Sequence, residues 1–417
     1  MASREPPRFL LLLPPGPSPP TAQSLKVAFG DTISHVLKKV AGPPPDSKQA
    51  AVLEIALACP HLVDQESTPR ASLYDETQFH LAAVYKLICT LAAKNNINVE
   101  DHDGVDIRIL LVAWSKDQTA DGPSVTDRQP FGPVISIQTL AQSKRPWQHT
   151  FGAESEVGEQ MVQAFIAAKG SGEEISRVVC GPVLQGQQVP KSTSDDLSTP
   201  TRPGSQGDKS NTLHPHVAVG GTWDHIHIGH KLLLTMTVFA VDEDNANGLK
   251  GRSATIGITG DELLKNKKHA EVLESWNDRC KSVMLFVNAI LDFTPPESGK
   301  KRHVSIKNDP WPNGTSVDTY YSNDLTVKCT EIQDAFGPTI TVEQISALVI
   351  SGETRAGGKA VNDKRGEKNW KALDIFEVDV LDAEEDGDGG AVKEGFENKL
   401  SSTAIREKLA KKRQSSL

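Results

Sequence analysis

The stretch Val217-Ala-Val-Gly-Gly-Thr-Trp-Asp-His-Ile-His-Ile-Gly-His-Lys231 concentrates the residues of this chain that could do chemistry. An apolar run ending in the pair Gly220-Gly221 reads as a buried strand whose end lets a ligand or another backbone approach closely. The helix that the pattern starts near Gly229 presents free N–H groups and a partial positive charge, a seat for phosphate. His227 and His230 are three apart, so they share a face of its first turn and can donate hydrogen bonds to phosphoryl oxygens. Thr222 adds a hydroxyl at the strand end, and Asp224 lies in the connecting loop. Together this is equipment for holding a triphosphate while one phosphorus is attacked.

A metal site is the competing chemistry, because five of the twelve histidines fall between His214 and His230. No carboxylate or cysteine partner stands at helical ligand spacing there, so His214, His216 and His225 read as strand and loop residues and no metal ligands are assigned.

Two further segments carry suitable groups. Ser401, Ser402 and Thr403 stand where a helix should begin, with Ile405 and Leu409 on its apolar face and Arg406 as a permanent cation above it. Hydroxyls and free N–H groups at a helix start form a second phosphate cradle, although the same residues could merely cap a surface helix. The Thr259–Lys268 segment follows a strand and offers Lys265, Lys267 and Lys268, any of which could also be a solvated surface lysine. The Gly357-Gly358-Lys359 run is not a P-loop, since Glu353 stands where that motif needs glycine and Ala360 where it needs Ser or Thr.

With these residues in view, Gly220-Gly-Thr-Trp-Asp-His-Ile-His-Ile-Gly-His-Lys-Leu-Leu-Leu234 resembles the first motif of the nucleotidylyltransferase superfamily, most of all that of eukaryotic-type phosphopantetheine adenylyltransferases. Lys399-Leu-Ser-Ser-Thr-Ala-Ile-Arg406 is similar to the family's Ile-Ser-Ser-Thr-x-x-Arg signature, with Leu400 in place of Ile. Val349-Ile-Ser-Gly-Glu-Thr-Arg-Ala-Gly-Gly-Lys-Ala-Val-Asn-Asp-Lys-Arg365 is similar to its Ser-x-Glu-Thr-x-x-Gly-Gly-x-x-Val-Asn-x-x-Arg segment. The resemblance spans about residues 214–413 and leaves residues 1–190 aside. It implies transfer of AMP from ATP, accompanied by Mg2+, to 4′-phosphopantetheine, giving dephospho-coenzyme A and pyrophosphate. It implies His230, His227 and a lysine, of which Lys267 is preferred, as catalytic residues. Nucleotide and substrate would be held by Gly220, Gly221, Thr222, Asp224, Gly229, Arg355, Asn362, Arg365, Ser401, Ser402, Thr403 and Arg406. Animal members fuse this unit to a P-loop kinase; with no such motif here, one activity is expected. Rival readings are a cytidylyltransferase, a class I aminoacyl-tRNA synthetase lacking its usual second loop, and a scaffold or regulatory subunit associating with other coenzyme A enzymes.

The elements that must position these groups follow from the wider sequence. The chain has 417 residues, net charge −9 and 37% apolar residues. That length suggests two or three domains, and the acidic balance argues against nucleic-acid wrapping. The run Phe9–Leu13 is too short for a signal peptide, and no stretch reaches the ~18 apolar residues of a membrane span, so a soluble cytoplasmic protein is expected. Five dispersed cysteines fit reduced thiols.

Polar, Pro- and Ser-rich composition marks 185–213 as a linker between an N-terminal α/β domain (1–184) and the transferase-like domain (214–413), with an acidic insertion at 382–395 read as solvated and not as a calcium loop. Strands are expected at Arg8–Leu13, Val105–Trp114, His216–Gly220, Ala254–Gly257, Val304–Lys307, Val327–Ile332, Ala347–Ile350 and Ile375–Val380. Helices are expected at Thr77–Lys94, Glu156–Lys169, His230–Val241 and Trp276–Phe293. Their alternation implies a Rossmann-like, mostly parallel sheet in the C-terminal domain and a second α/β domain of unknown role before it.

Overall fold

The computed structural model describes residues 5–42, 51–100, 104–117, 131–170, 174–182, 212–243, 250–298, 302–310, 312–379 and 402–414. The expected linker, apart from Thr212 and Leu213, and the expected acidic insertion lie outside the described residues.

The N-terminal half contains β1 (Arg8–Leu13), α1 (Ala22–Ala41), β2 (Val52–Ala58), α2 (Arg70–Lys94), β3 (Asp106–Ala113), β4 (Val134–Ser136), α3 (Ile137–Gln142), β5 (Trp147–Glu154), α4 (Glu156–Lys169) and β6 (Ile175–Val179). Its strands form one parallel sheet in the order β4-β3-β2-β1-β5-β6. Leu10 to Leu13 are all buried, as a strand covered on both faces requires. Local signals set the helix ends: Thr21 caps α1 by accepting from the Ser24 N–H, and Ser155 caps α4 by accepting from that of Gly158. Gly170, with φ of 71°, closes α4 in the left-handed conformation that glycine tolerates.

The C-terminal half contains β7 (His216–Gly221), α5 (Ile228–Phe239), β8 (Arg252–Thr259), α6 (Trp276–Leu291), β9 (His303–Asn308), β10 (Thr315–Tyr320), β11 (Leu325–Ile332), β12 (Ala347–Ser351), α7 (Arg355–Glu367), β13 (Asp374–Val378) and α8 (Ser402–Gln414). The sheet order is β13-β12-β7-β8-β11-β10-β9. From β13 to β11 the strands are parallel, as expected of a Rossmann-like unit. The pairs β11–β10 and β10–β9 instead run antiparallel, forming a meander at that edge of the sheet. The reason is the connections: short turns join them, closed by Asp309 N–H donating to the Gly314 carbonyl and by Asp324 in a left-handed φ of 63°. A parallel pair would need a helix between them.

The two halves share a continuous apolar core. Tyr74 of α2 packs against Phe239 of α5 and Phe376 of β13, with ring centroids 6.4 and 4.6 Å away. Arg145, ahead of β5, donates to the Ala289 and Asp292 carbonyls at the end of α6, while its other side meets the fully buried Glu54 carboxylate at 2.9 Å. Among the described residues no helix is long and apolar enough to cross a membrane.

Candidate active site

β7 ends between β8 and β12, so the Gly220-Gly221-Thr222 loop opens at the carboxyl edge of the parallel strands, where such sheets bind ligands. The loop turns through two non-glycine residues with positive φ, Trp223 at 58° and His225 at 49°. The indole anchors the strained turn: it is fully buried and its Nε1–H donates to the Gly257 carbonyl at 2.8 Å. A Cβ on Gly221 would sit 2.9 Å from that ring, which is why this position has no side chain. A Cβ on Gly229 would meet the His227 ring at 3.1 Å.

His227 occupies the N-cap of α5 with extended backbone, and His230 follows in the first turn. Their rings stack with centroids 3.9 Å apart, and the Trp223 ring lies 5.2 Å from His230. The Nδ1 atoms of both are buried without a hydrogen-bond partner among the described residues. Burial, then the Lys231 ammonium and His225, push the His227 imidazole down to about 4. Burial, followed by His227 and His225, drives His230 well below the ordinary histidine value. Both rings are therefore neutral at pH 7, each with one N–H to donate at a helix N-terminus.

Arg279 of α6, fully buried, ties the neighbouring loops together. Its guanidinium donates to the Thr222 carbonyl at 2.7 Å, the Glu274 carbonyl at 3.0 Å and the Asp261 carboxylate at 2.6 Å. Sequence reasoning missed this residue. The available signal was an arginine inside the apolar stripe of the expected Trp276–Phe293 helix, beside Cys280 and Val283.

The far end of the chain returns to the same loop. Arg406 of α8 is buried and donates to the Asp224 carboxylate at 2.7 Å, the Lys268 carbonyl at 3.1 Å and the Thr403 hydroxyl at 3.1 Å. Asp224 also accepts the Glu274 N–H at 2.9 Å. The structure thus brings Asp224, Thr403 and Arg406 into one cluster a few residues from the histidine pair, with Ser402 opening α8 and Ser401 outside the described residues. Lys267 is exposed in the loop after β8, next to the Lys268 carbonyl that Arg406 holds, and Lys265 pairs with Glu262.

The α7 residues are placed differently. Arg355 begins the helix directly after β12, exposed and forked onto Glu377 at 2.6 and 2.5 Å. Asn362 brackets the backbone of Leu373 with two hydrogen bonds. Arg365, 1% exposed, donates to the carbonyls of Thr339, Glu343, Ile345 and Lys371. The side chains of Asn362 and Arg365 are thus committed to local backbone.

The helix carrying the histidines is held from the N-terminal half. Lys231 donates to Asp106 and to the Ile107 carbonyl of β3, and just beyond α5 the Arg70 N–H donates to Asp242 at 2.7 Å.

Residues 1–188 match a family model described as a domain of unknown function (DUF8446). Over 195 residues the chain is 34% identical to an uncharacterized protein, C1F12.08, of Schizosaccharomyces pombe, covering 46% of this chain and 48% of that one. It is 33% identical over 204 residues to the phosphopantetheine adenylyltransferase of Saccharomyces cerevisiae, covering 49% and 52%. The matched segment thus spans about half the length of these two yeast relatives. The phosphopantetheine adenylyltransferase of Thermococcus kodakarensis is 30% identical over 190 residues, which are 46% of this chain and 83% of the archaeal protein. With a relative at that identity covered over most of its length, the chain belongs to the phosphopantetheine adenylyltransferase family.

Proposed function

We propose that the C-terminal half transfers the adenylyl group of ATP, taken up with Mg2+, to 4′-phosphopantetheine, releasing pyrophosphate and dephospho-coenzyme A. The observation that carries this reading is the stacked, neutral His227–His230 pair at the start of α5, immediately behind Gly220-Gly221-Thr222. The names of the relatives point the same way.

The acceptor is a phosphate monoester that is nearly dianionic at pH 7, so it needs no general base and no covalent intermediate. The work of the protein is then alignment in line with the α-phosphorus and stabilisation of crowded negative charge. In this mechanism His230 donates to the transition state and His227 to phosphate oxygens. Lys267 and Thr222 grip the acceptor phosphate, and the N-terminus of α8 with Ser402 and Thr403 faces the β- and γ-phosphates. Arg355 supplies a cation from the start of α7. Gly220, Gly221 and Gly229 keep the backbone open to the nucleotide, while Asp224 and Arg406, paired with each other, act by holding that loop and α8 together. One catalytic activity is proposed for the chain.

A pyrophosphate-release assay with ATP and a set of phosphorylated acceptors tests the proposal. Release that depends on ATP and 4′-phosphopantetheine is the expected result. Release with CTP and not ATP would move the assignment to a cytidylyltransferase, and no release with any pair would refute it.

A further inference from the structure

The carboxyl edge of the N-terminal sheet carries a cluster that the transferase chemistry does not use. His61 follows β2 in a single 3-10 turn, Pro60–Leu62, and Glu76 and His80 lie one turn apart on α2. One potential ligand atom from each lies within 4.8 Å of the other two. His61 Nδ1 and a Glu76 carboxylate oxygen are 3.9 Å apart, and the two imidazoles stack with centroids separated by 5.2 Å. Donors about 2.0–2.2 Å from a tetrahedral zinc ion stand roughly 3.4 Å from one another, so modest side-chain rotations close the cluster around a cation.

The hydrogen bonds around the cluster set the tautomers. The Thr77 hydroxyl donates to the Leu73 carbonyl at 2.8 Å, which leaves its oxygen to accept from His61 Nε2 at 3.0 Å. His80 Nδ1 lies 2.9 Å from the Glu76 carbonyl, which can only accept, so that nitrogen carries the hydrogen. Both ring hydrogens are thereby used outside the cluster, and the lone pairs fall on His61 Nδ1 and His80 Nε2. Metal-ligating histidines are oriented in this way, with the second nitrogen donating to an oxygen.

We propose that His61, Glu76 and His80 form a binding site for a zinc-class divalent cation, with a fourth coordination position open at the carboxyl edge of the N-terminal sheet. Two imidazoles and one carboxylate suit Zn2+ over Mg2+, which prefers oxygen ligands. The proposal is independent of the transferase reading, because metal uptake is measured without turnover.

Full-length chain stripped with EDTA is titrated with Zn2+ by calorimetry in the presence of excess Mg2+. Glu76→Gln and His80→Ala change an exposed and a half-exposed side chain, so thermal unfolding of the metal-free variants verifies that they fold. Loss of even an outer-shell partner costs about 10- to 100-fold in affinity, so each variant should bind Zn2+ at least about tenfold more weakly than the parent. Zn2+ should also raise the melting temperature of the parent and not of the variants. Folded variants that keep the parent isotherm would overturn the proposal. So would Zn2+ binding that is lost in His225→Ala, because Asp224, His225 and Glu274 form the other group of potential ligands among the described residues.

Discussion

Lys231, the residue after His230, buries its ammonium 2.5 Å from the Asp106 carboxylate of β3 and so joins the first turn of α5 to the N-terminal sheet. Burial alone would raise the Asp106 pKa, but Lys231 and then Arg108 outweigh it and hold the carboxyl down to about 2. The ionised carboxylate therefore stabilises the fold above its unfolded-state pKa of about 3.9, and that contribution is lost as pH falls toward 2.

Asp106→Asn should lower stability by about 3 kcal/mol, because it leaves a buried ammonium without its counter-charge. Replacing both partners by apolar residues, Asp106→Leu with Lys231→Met, should recover most of the loss. Chemical denaturation measures both. A single variant as stable as the parent would show that the pair contributes nothing.

His230→Ala should reduce pyrophosphate release by about 100- to 1000-fold, the usual cost of one preorganised donor, with a much smaller change in the KM for ATP. Steady-state kinetics separates the two effects. Near-normal turnover with weakened ATP binding would remove His230 from the transition state.

Arg406 and Asp224 form a second buried pair, 4% and 0% exposed at their side chains. Arg406→Ala should cost about 3–5 kcal/mol by leaving Asp224 buried and unpaired. Because Arg406 also holds the Lys268 carbonyl, amide exchange should accelerate in α8 and in the loop around Lys268. Hydrogen-exchange mass spectrometry reads this directly. Unchanged protection in both segments would mean that Arg406 does not anchor α8.

The depressed His227 pKa has a definite sign. The unfolded ring takes up a proton near pH 6.5, whereas the folded ring resists until about 4. Stability should therefore be full above pH 6.5 and decline as pH falls toward 4, by on the order of 3 kcal/mol from this group. His227→Gln should flatten that slope in pH-dependent thermal unfolding. A bound polyphosphate should raise the ring's pKa, observable by NMR titration of the imidazole.

Much of this architecture was legible in the sequence. The bounds of β1 and α4 coincide with the expected Arg8–Leu13 and Glu156–Lys169, because apolar runs, helical periodicity and capping residues are local signals. Other elements lack such signals. α7 contains Gly357, Gly358 and Gly366 and is short of apolar residues, so neither propensity nor periodicity marks it. β10 reads as polar, yet Ser316 and Asp318 are buried inside the meander, where the Ser316 hydroxyl donates to Asp318. β2 carries Glu54 in its middle, which argues against a buried strand until Arg145 and Trp147 are seen to bind its two oxygens.

By itself the sequence determined the strand–loop–helix unit that holds His227 and His230 and the α/β character of both halves, since these depend on residues within a turn or a strand of each other. The tertiary structure alone decided which distant charges meet. Arg406 finds Asp224 from 182 positions away and Lys231 finds Asp106 from 125. Such partners are chosen by which strands lie side by side and which helices cover them, and that adjacency is a property of the assembled sheets.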